Sequence, residues 1–229
     1  ACIQKEEALT REIISASTYA LNALQLEPDE TGESVNLVHT ARDEAFVSGL
    51  KRKLERALRL QTKIRETGEN LARDIRYAEA LEKMGIDAAI LKKAKILRTV
   101  FGTVENADFV VPSSKEFIIT KTDHFTFGMA LPAFADAMLR LLKEKGFADK
   151  SDEVRQVSAE ILKKRDNTLR RRSEALDAYI FRLKEEKGQA LKKINSQYRT
   201  YEELLKAMHM SVFSSRVMFI TGWMETRER

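Results

Sequence analysis

The chain has 229 residues, of which 43% are hydrophobic and 33% charged, with only 9 glycines and 3 prolines, a balance that favours long helices over a loop-rich β fold. The 40 basic and 35 acidic residues leave a net charge of +5, which falls short of a nucleic-acid-binding signature. A single cysteine excludes an internal disulfide, and no run of 18 apolar residues predicts a membrane span.

Three helices are predicted outside a central segment. The first covers residues 4–26, where apolar residues recur at helical spacing. The second runs without proline from about residue 40 to residue 84, and Gly85 supplies its stop signal. The third covers residues 151–208. All three are amphipathic, so each must bury one face against another element.

Each of the two longer helices carries a single apolar seam. In the first of them, spacings of three, four and seven, which are typical of a coiled coil, join Leu50, Leu54, Ala57, Ile64, Leu71, Ile75 and Ala78. The returning helix repeats the theme at Val154, Val157, Ile161, Leu176, Ile180, Leu183, Ala190, Ile194, Tyr201 and Leu205. Because each seam is one narrow stripe, we expect the two helices to pack antiparallel as an arm.

The segment between the long helices, 97–147, has a different composition. It holds seven of the 11 phenylalanines, which indicates a hydrophobic core of its own. Short runs that are β-branched or aromatic predict three strands, at 100–104, 117–120 and 125–130. Pro132 opens a predicted helix that runs to residue 145 and stops at Gly146. We therefore predict a small α/β lobe at the tip of the arm.

The C-terminal stretch 212–223 changes period again. It ends in the β-like run 217–221, closed by Gly222, which predicts one edge of a second small sheet. Since no other clear strand lies near either terminus, we expect the partners of this strand to be missing or to come from neighbouring proteins.

Together these elements predict a mostly α fold with small α/β lobes. A long antiparallel two-helix coiled-coil arm carries one lobe at its tip and a partial second lobe at the termini. In chain order we expect proximal-end helices, the first arm helix with its connection, the distal lobe, the returning arm helix, and a proximal-end helix and strand, with boundaries 1–45, 46–96, 97–147, 148–202 and 203–229.

No constellation of residues points to catalysis. His39, His124 and His209 are predicted on a loop, a strand end and a helix, and no acid–base or metal-binding partner converges with them. No glycine-rich loop leads into a Lys-Ser or Lys-Thr pair that could cradle a phosphate. We therefore expect no enzyme activity, no metal site and no cofactor.

The strongest basic feature contains Lys163, Lys164, Arg165, Arg170, Arg171 and Arg172. On a helix these positions wrap around the cylinder, and Glu160, Asp166 and Glu174 are interleaved with them, which favours a solvated helix face. The functional alternative is a surface for an acidic protein partner or for an anionic membrane.

The order of helix, long helix, α/β lobe, returning helix and strand resembles the cytoplasmic N-terminal half of subunit I, also called subunit a, of V/A-type rotary ATPases. Three places carry the resemblance: the stretch 214–224 with its Gly-Trp pair, the strand 100–104, and the helix 133–145 that ends in Lys-Gly-Phe. The sequence departs from the family in two ways. Met224 and Glu225 stand where the family has Val-Pro. The family's opening strand and membrane half are absent, and this second departure suggests an excised domain.

The resemblance implies a non-catalytic structural arm in the stator of a proton- or sodium-translocating rotary ATPase, on the cytoplasmic face of a membrane. It implies a link between peripheral stalks and the membrane sector. The implied partners are the helical heterodimer of the peripheral stalk and the central-stalk or collar subunits, with no nucleic acid, and with membrane contact only through a missing C-terminal transmembrane half.

Contacts that need buried anchors are expected in the apolar lobes at both ends, because the arm between them is charged. The candidate partner-binding residues are aromatic: Phe101, Phe109, Phe117, Phe125, Phe213 and Trp223. The alternative function is a membrane-surface or coiled-coil scaffold protein that uses the basic helical face.

Overall fold

A computed structural model of the chain describes residues 2–29, 41–94, 96–105, 111, 114–209, 212–213 and 218–219. The chain divides into two compact units. Unit 1 comprises Ala1–Thr62 and Glu174–Arg229, and unit 2 comprises Lys63–Ser173. Helices α2 (Ala41–Lys83) and α5 (Ala159–His209) contribute to both units. The chain is mostly helical with a small sheet, as predicted, while the five-segment division stays a prediction.

Unit 1 is built from helices that bury aliphatic side chains against one another. Its core, which draws on α1, α2 and α5, comprises Ile13, Ala16, Ala20, Leu21, Leu24, Val47, Leu50, Leu54, Leu183, Leu191 and Tyr198. Fully burying a leucine side chain contributes roughly 1.5–3 kcal/mol relative to leaving it exposed, so this core is the main stabilising feature of the unit.

Helix α1 (Cys2–Ala23) ends a few residues earlier than the predicted residue 26. Gln25 adopts a left-handed backbone conformation with φ 52. The N–H of Leu26 then donates to the Leu21 carbonyl at 2.9 Å, which satisfies one of the last helical carbonyls. The left-handed turn at Gln25 therefore ends this helix before Pro28 is reached.

Within unit 1, α2 and α5 lie side by side and antiparallel. Gln61 Nε2 donates to Asp177 Oδ1 at 3.0 Å, and Tyr198 Oη lies 3.3 Å from Asp43 Oδ2. Asn195 is buried between helices, and its Nδ2 donates to a hydroxyl of α1 at 2.8 Å. The two contacts between α2 and α5 pair residue 43 with 198 and residue 61 with 177, an order that the prediction of an antiparallel pair requires.

The same antiparallel order holds within unit 2. Lys163 Nζ lies 2.6 Å from Glu79 Oε1. The N–H of Ala159 donates to Glu82 Oε1 at 2.9 Å, so a side chain from α2 caps the first turn of α5. At the far end of α2, Gly85 takes a left-handed conformation with φ 70, which confirms the predicted stop.

Helix α5 begins at Ala159, so the predicted start at residue 151 was wrong. Ser151–Glu153 forms a 3-10 turn instead. The N–H of Phe101 donates to Ser151 Oγ at 2.8 Å, and this bond ties the turn to the sheet. The Ser-Asp-Glu sequence looks like a helix start, but its serine hydroxyl is used by the sheet.

The buried face of α5 also differs from the predicted seam. Leu162, Leu191 and Tyr198 are buried, whereas the predicted seam residue Ile161 is 48% exposed and Ala190 is exposed too. Near the start of α5 the seam is shifted because Leu162 packs with the buried residues of α2. The contacts of Leu162 with α2 therefore set which face of α5 is buried near the start of the helix.

Unit 2 contains a four-stranded antiparallel sheet with the strand order β2-β3-β1-β4. The three predicted strands are confirmed as β1 (Arg98–Thr103), β2 (Phe117–Thr122) and β3 (Phe125–Ala130). The fourth, β4 (Ala148–Asp149), was missed because two residues are too short to show alternation. A two-residue turn joins β2 to β3, with Asp123 at φ 46.

The sheet of unit 2 packs against a helix on each face. Helix α4 (Pro132–Glu144) begins at its proline as predicted, and its Met138 and Leu142 pack on Val100 of the sheet. On the other face, Phe101 and other sheet residues pack against the end of α2. A short helix, α3 (Ile90–Lys93), which the sequence did not predict, adds to this second cluster.

The C-terminal strand finds its partner within the chain. Strand β5 (Val212–Phe213) pairs antiparallel with β6 (Met218–Phe219) in a two-stranded sheet. The expectation that every partner of the terminal strand lies outside the chain was therefore wrong. A two-residue strand, again, is too short to be recognised by its pattern.

Candidate interaction surfaces

Two of the predicted partner-binding aromatics lie in the core of unit 2. Phe101 has no exposed surface (0%), and its ring stacks on Phe125 with centroids 5.7 Å apart. Tyr77 of α2 meets both rings edge-on, at 5.6 and 5.7 Å. A fully enclosed ring offers a partner nothing to touch, so the prediction of Phe101 as a contact residue was wrong. It stabilises the lobe instead, as buried aromatic pairs do.

The other predicted aromatics occupy different positions. Phe117 opens β2, is half-buried and packs against the cluster beneath α4. Phe213 lies in β5, where its backbone is paired with that of Met218. Phe109 and Trp223 lie outside the described residues. Partner binding by these residues, and by the half-buried Phe125, stays a prediction.

Sequence reasoning missed the apolar side chains that unit 2 exposes. Ile96 is 76% exposed, Ile118 56% and Leu131 47%. Ile118 lies on β2 at one edge of the sheet, and no strand in the described part of the chain pairs with that edge. The run Phe117-Ile118-Ile119 is apolar throughout, so the sequence could not tell which residue faces outward.

A compact set of ionisable groups surrounds Glu153. Lys150 Nζ lies 2.9 Å from Oε1, Tyr77 Oη lies 3.3 Å from Oε2, and Arg73 Nε lies 3.7 Å from Oε2. The hydrogen bond from Lys150 lowers the pKa of Glu153, while burial is the largest cause that raises the pKa of Tyr77. These groups engage one another and tie α2 to the 3-10 turn, which is a structural arrangement.

The predicted basic cluster divides into paired and free side chains. The ion pairs are Lys163 with Glu79 at 2.6 Å, Lys164 with Glu160 at 2.7 Å, and Arg170 with Asp166 at 2.7 Å. Arg165, Arg171 and Arg172 are exposed and form no ion pair with a described residue. The cluster is therefore not one uniform basic face.

Two of these free arginines, Arg165 and Arg172, line a groove in unit 2 with a volume of about 660 Å³. The groove also contains Arg155 and Lys164 among its lining residues, and Asp74 supplies its carboxylate. Arg155 Nε lies 2.8 Å from Asp74 Oδ2, but the pair is not aligned as a hydrogen bond, and neither oxygen of Asp74 accepts one from a described residue.

The three histidines occupy separate positions in the sequence, and the structure describes the side chain of one of them, His124. His124 is exposed on the turn between β2 and β3, His209 is the last residue of α5, and His39 lies outside the described residues. Over the described ranges, no group of three or more His, Cys, Asp or Glu side chains could hold a metal ion. No helix in that part of the chain is long and apolar enough to cross a bilayer.

The fold is thus that of a mostly helical protein in which a small antiparallel sheet accompanies two long antiparallel helices. Sequence comparison finds no matching protein family and no similar curated protein. Among solved structures, the chain is similar to the crystal structure of the cytoplasmic N-terminal domain of subunit I, a homologue of subunit a, of V-ATPase. The TM-score is 0.62 and the identity 14%, over 90% of this chain and 73% of that chain. The resemblance predicted from the sequence is confirmed at the level of the fold.

Proposed function

We propose that this chain is a non-catalytic stator component of a proton- or sodium-translocating rotary ATPase. It acts at the cytoplasmic face of a membrane and links peripheral stalks to the membrane sector. The observation that carries the proposal is the similarity in fold to a cytoplasmic V-ATPase domain over 90% of the chain. The compact set of ionisable groups around Glu153 fits this role, because its members contact one another and tie α2 to the 3-10 turn.

A stator component must transmit force without yielding, and the interior of unit 1 suits that load. Its helices are locked by an aliphatic core and by the buried Asn195, which donates to Ser17 at 2.8 Å and to Thr18 at 3.1 Å. A buried amide nitrogen that donates to a neighbouring helix disfavours sliding, since a shifted helix would leave that donor unpaired.

The helical heterodimer of the peripheral stalk is the proposed main partner, and the central-stalk or collar subunits are further partners. One attachment is the distal lobe, where exposed Ile118 and Leu131 and half-buried Phe117 supply apolar anchors. A second attachment involves the terminal segments 1–45 and 203–229. Two attachments to one partner raise the effective concentration of the second once the first has formed.

The test is binding of the purified stalk heterodimer of the cognate ATPase to the parent chain and to two matched variants. Ile118→Lys places a charge at an edge strand position, where lysine is tolerated. The control, Leu60→Lys, places the same charge at an α2 residue that is 53% exposed. We expect Ile118→Lys to weaken binding roughly tenfold, as loss of an interface anchor does, and Leu60→Lys to leave it unchanged.

The proposal is wrong if the heterodimer does not bind the parent chain, or if both variants bind as the parent does. Salt-dependent binding to anionic vesicles without binding to the heterodimer would favour the membrane-scaffold alternative instead.

A further inference from the structure

We propose that the basic groove of unit 2 binds an acidic amphipathic helix of a partner protein. The groove lies between α2 and α5, and its cations are Arg155, Lys164, Arg165 and Arg172. This proposal is independent of the proposed function, because it uses neither the lobe anchors nor the terminal segments. It gives a role to the part of the predicted basic cluster that the ion pairs leave free.

The charge balance of the groove calls for an anionic occupant. Four cations line it against one carboxylate, Asp74, whose side chain is only 2% exposed and is already in contact with Arg155. The pair between Lys164 and Glu160 is 73% and 77% exposed, and such surface pairs contribute little, so an incoming carboxylate can replace it.

The two remaining cations, Arg165 and Arg172, have no ion pair with a described residue. Arginine is never neutral at physiological pH, so both positive charges are permanent. At these two arginines an acidic ligand therefore gains ion pairs without breaking an existing one.

The spacing of the cations favours a helix over a single phosphate. Arg165 and Arg172 are seven residues apart on α5, which separates their backbones by about 10.5 Å along the helix. A phosphate group needs its cations to converge on one point. Cations two turns apart instead match carboxylates that are two turns apart on another helix, at positions i and i+7.

The groove is apolar as well as basic. Ile161, which the sequence assigned to the buried seam, is 48% exposed and lines the groove. The buried Leu71 and the half-buried Leu169 line it too. A helix that binds here must therefore present apolar side chains next to its carboxylates, which is the helix-in-groove mode of recognition.

The experiment uses a fluorescent 18-residue peptide as its probe. The peptide has leucines at i, i+4 and i+7 spacing, flanked by glutamates, and its control has the same composition in an order with no helical face. Binding to the full chain is measured by fluorescence anisotropy at low and physiological salt. The chain variants are the pair Arg165→Glu with Arg172→Glu, and a matched pair, Arg171→Glu with Arg182→Glu, which changes the net charge equally at exposed residues outside the groove.

We expect the parent chain to bind the amphipathic peptide, more weakly as salt rises, and to prefer it over the control peptide. The groove pair should lower the affinity roughly tenfold, and the matched pair by no more than about twofold. If the groove pair disturbs folding, as measured by circular dichroism, Arg165→Gln with Arg172→Gln should still give a smaller loss in the same direction.

Several results would overturn the proposal. They are absence of peptide binding, equal binding of the control peptide, or equal losses in the groove and matched pairs. The proposal also fails if tripolyphosphate, or vesicles containing phosphatidylserine, bind at the groove arginines while the peptide does not. Binding of tripolyphosphate would make the groove a phosphate site, and binding of the vesicles would make it a membrane contact.

Discussion

The cores of the two units are built from different side chains. In unit 1, leucines and alanines of packed helices fill the interior. In unit 2, the rings of Tyr77, Phe101 and Phe127 lie between the sheet and α2. The aliphatic side chains of packed helices make many similar contacts, so neighbouring side chains can partly compensate for the truncation of one of them. The sheet of unit 2 depends on a few large rings and close backbone approaches, so we expect it to be the less tolerant of the two.

The largest effect is expected for Gly102→Ala in β1. A Cβ at this position would collide with the carbonyl oxygen of Ala148 and lie 2.7 Å from the Phe147 ring. Backbone cannot move aside as a side-chain end can, so β4 must leave the sheet. We expect the free energy of unfolding to fall by about 4 kcal/mol or more, measured by chemical denaturation.

The control for that variant is Gly188→Ala in unit 1. There the nearest atom to a new Cβ is Cδ1 of Leu26, at 2.9 Å, which is the flexible end of a side chain. We expect a change within about 1 kcal/mol, because the gain in helix propensity offsets a small shift of the leucine. Equal losses in both variants would remove the contrast between the units.

The next largest effect is expected for Phe127→Ala, compared with Leu191→Ala. Phe127 is 3% exposed in the core of unit 2, and Leu191 is 0% exposed in the core of unit 1. Truncation should cost roughly 3–5 kcal/mol for the phenylalanine and 2–5 kcal/mol for the leucine, with the phenylalanine variant the less stable. If Phe127→Ala unfolds at the same denaturant concentration as the parent chain, the ring is not part of the core.

The smallest effect is a gain in stability for Gly68→Ala, in the part of α2 that belongs to unit 2. A Cβ at this position would lie 3.6 Å from Leu169 Cδ2, which is an ordinary contact. Alanine is favoured over glycine in a helix by about 0.5–1 kcal/mol, so the melting temperature should rise. A lower melting temperature would show that α2 and α5 need a closer approach here.

The elements with strong local signals could be predicted from the sequence. Helix α4 begins at its proline, α2 ends two residues before Gly85, and the β1 to β3 strands lie within two residues of their predicted bounds. Each of these signals depends on residues that are close together in the chain, so it can be recognised without knowing the fold.

The elements that depend on distant contacts could not be predicted. The start of α5 is delayed because Ser151 bonds to Phe101, which is 50 residues away in the chain. The two-residue strands exist only through pairing. Phe101 was assigned to a partner surface because composition locates a cluster of rings, but it cannot tell a core ring from an exposed one. The groove was missed because its cations meet α2 only in the folded chain.

The proposed function requires the chain to bind a peripheral stalk at its distal lobe and at its terminal segments. The most direct measurement is hydrogen–deuterium exchange of the whole chain with and without the purified stalk heterodimer. We expect added protection in β2 and its neighbours within 97–147, together with protection in 1–45 or 203–229, and little change in the middle of α2. If exchange in the lobe is unchanged at saturating heterodimer, the chain does not bind the stalk there and the proposed stator role is wrong.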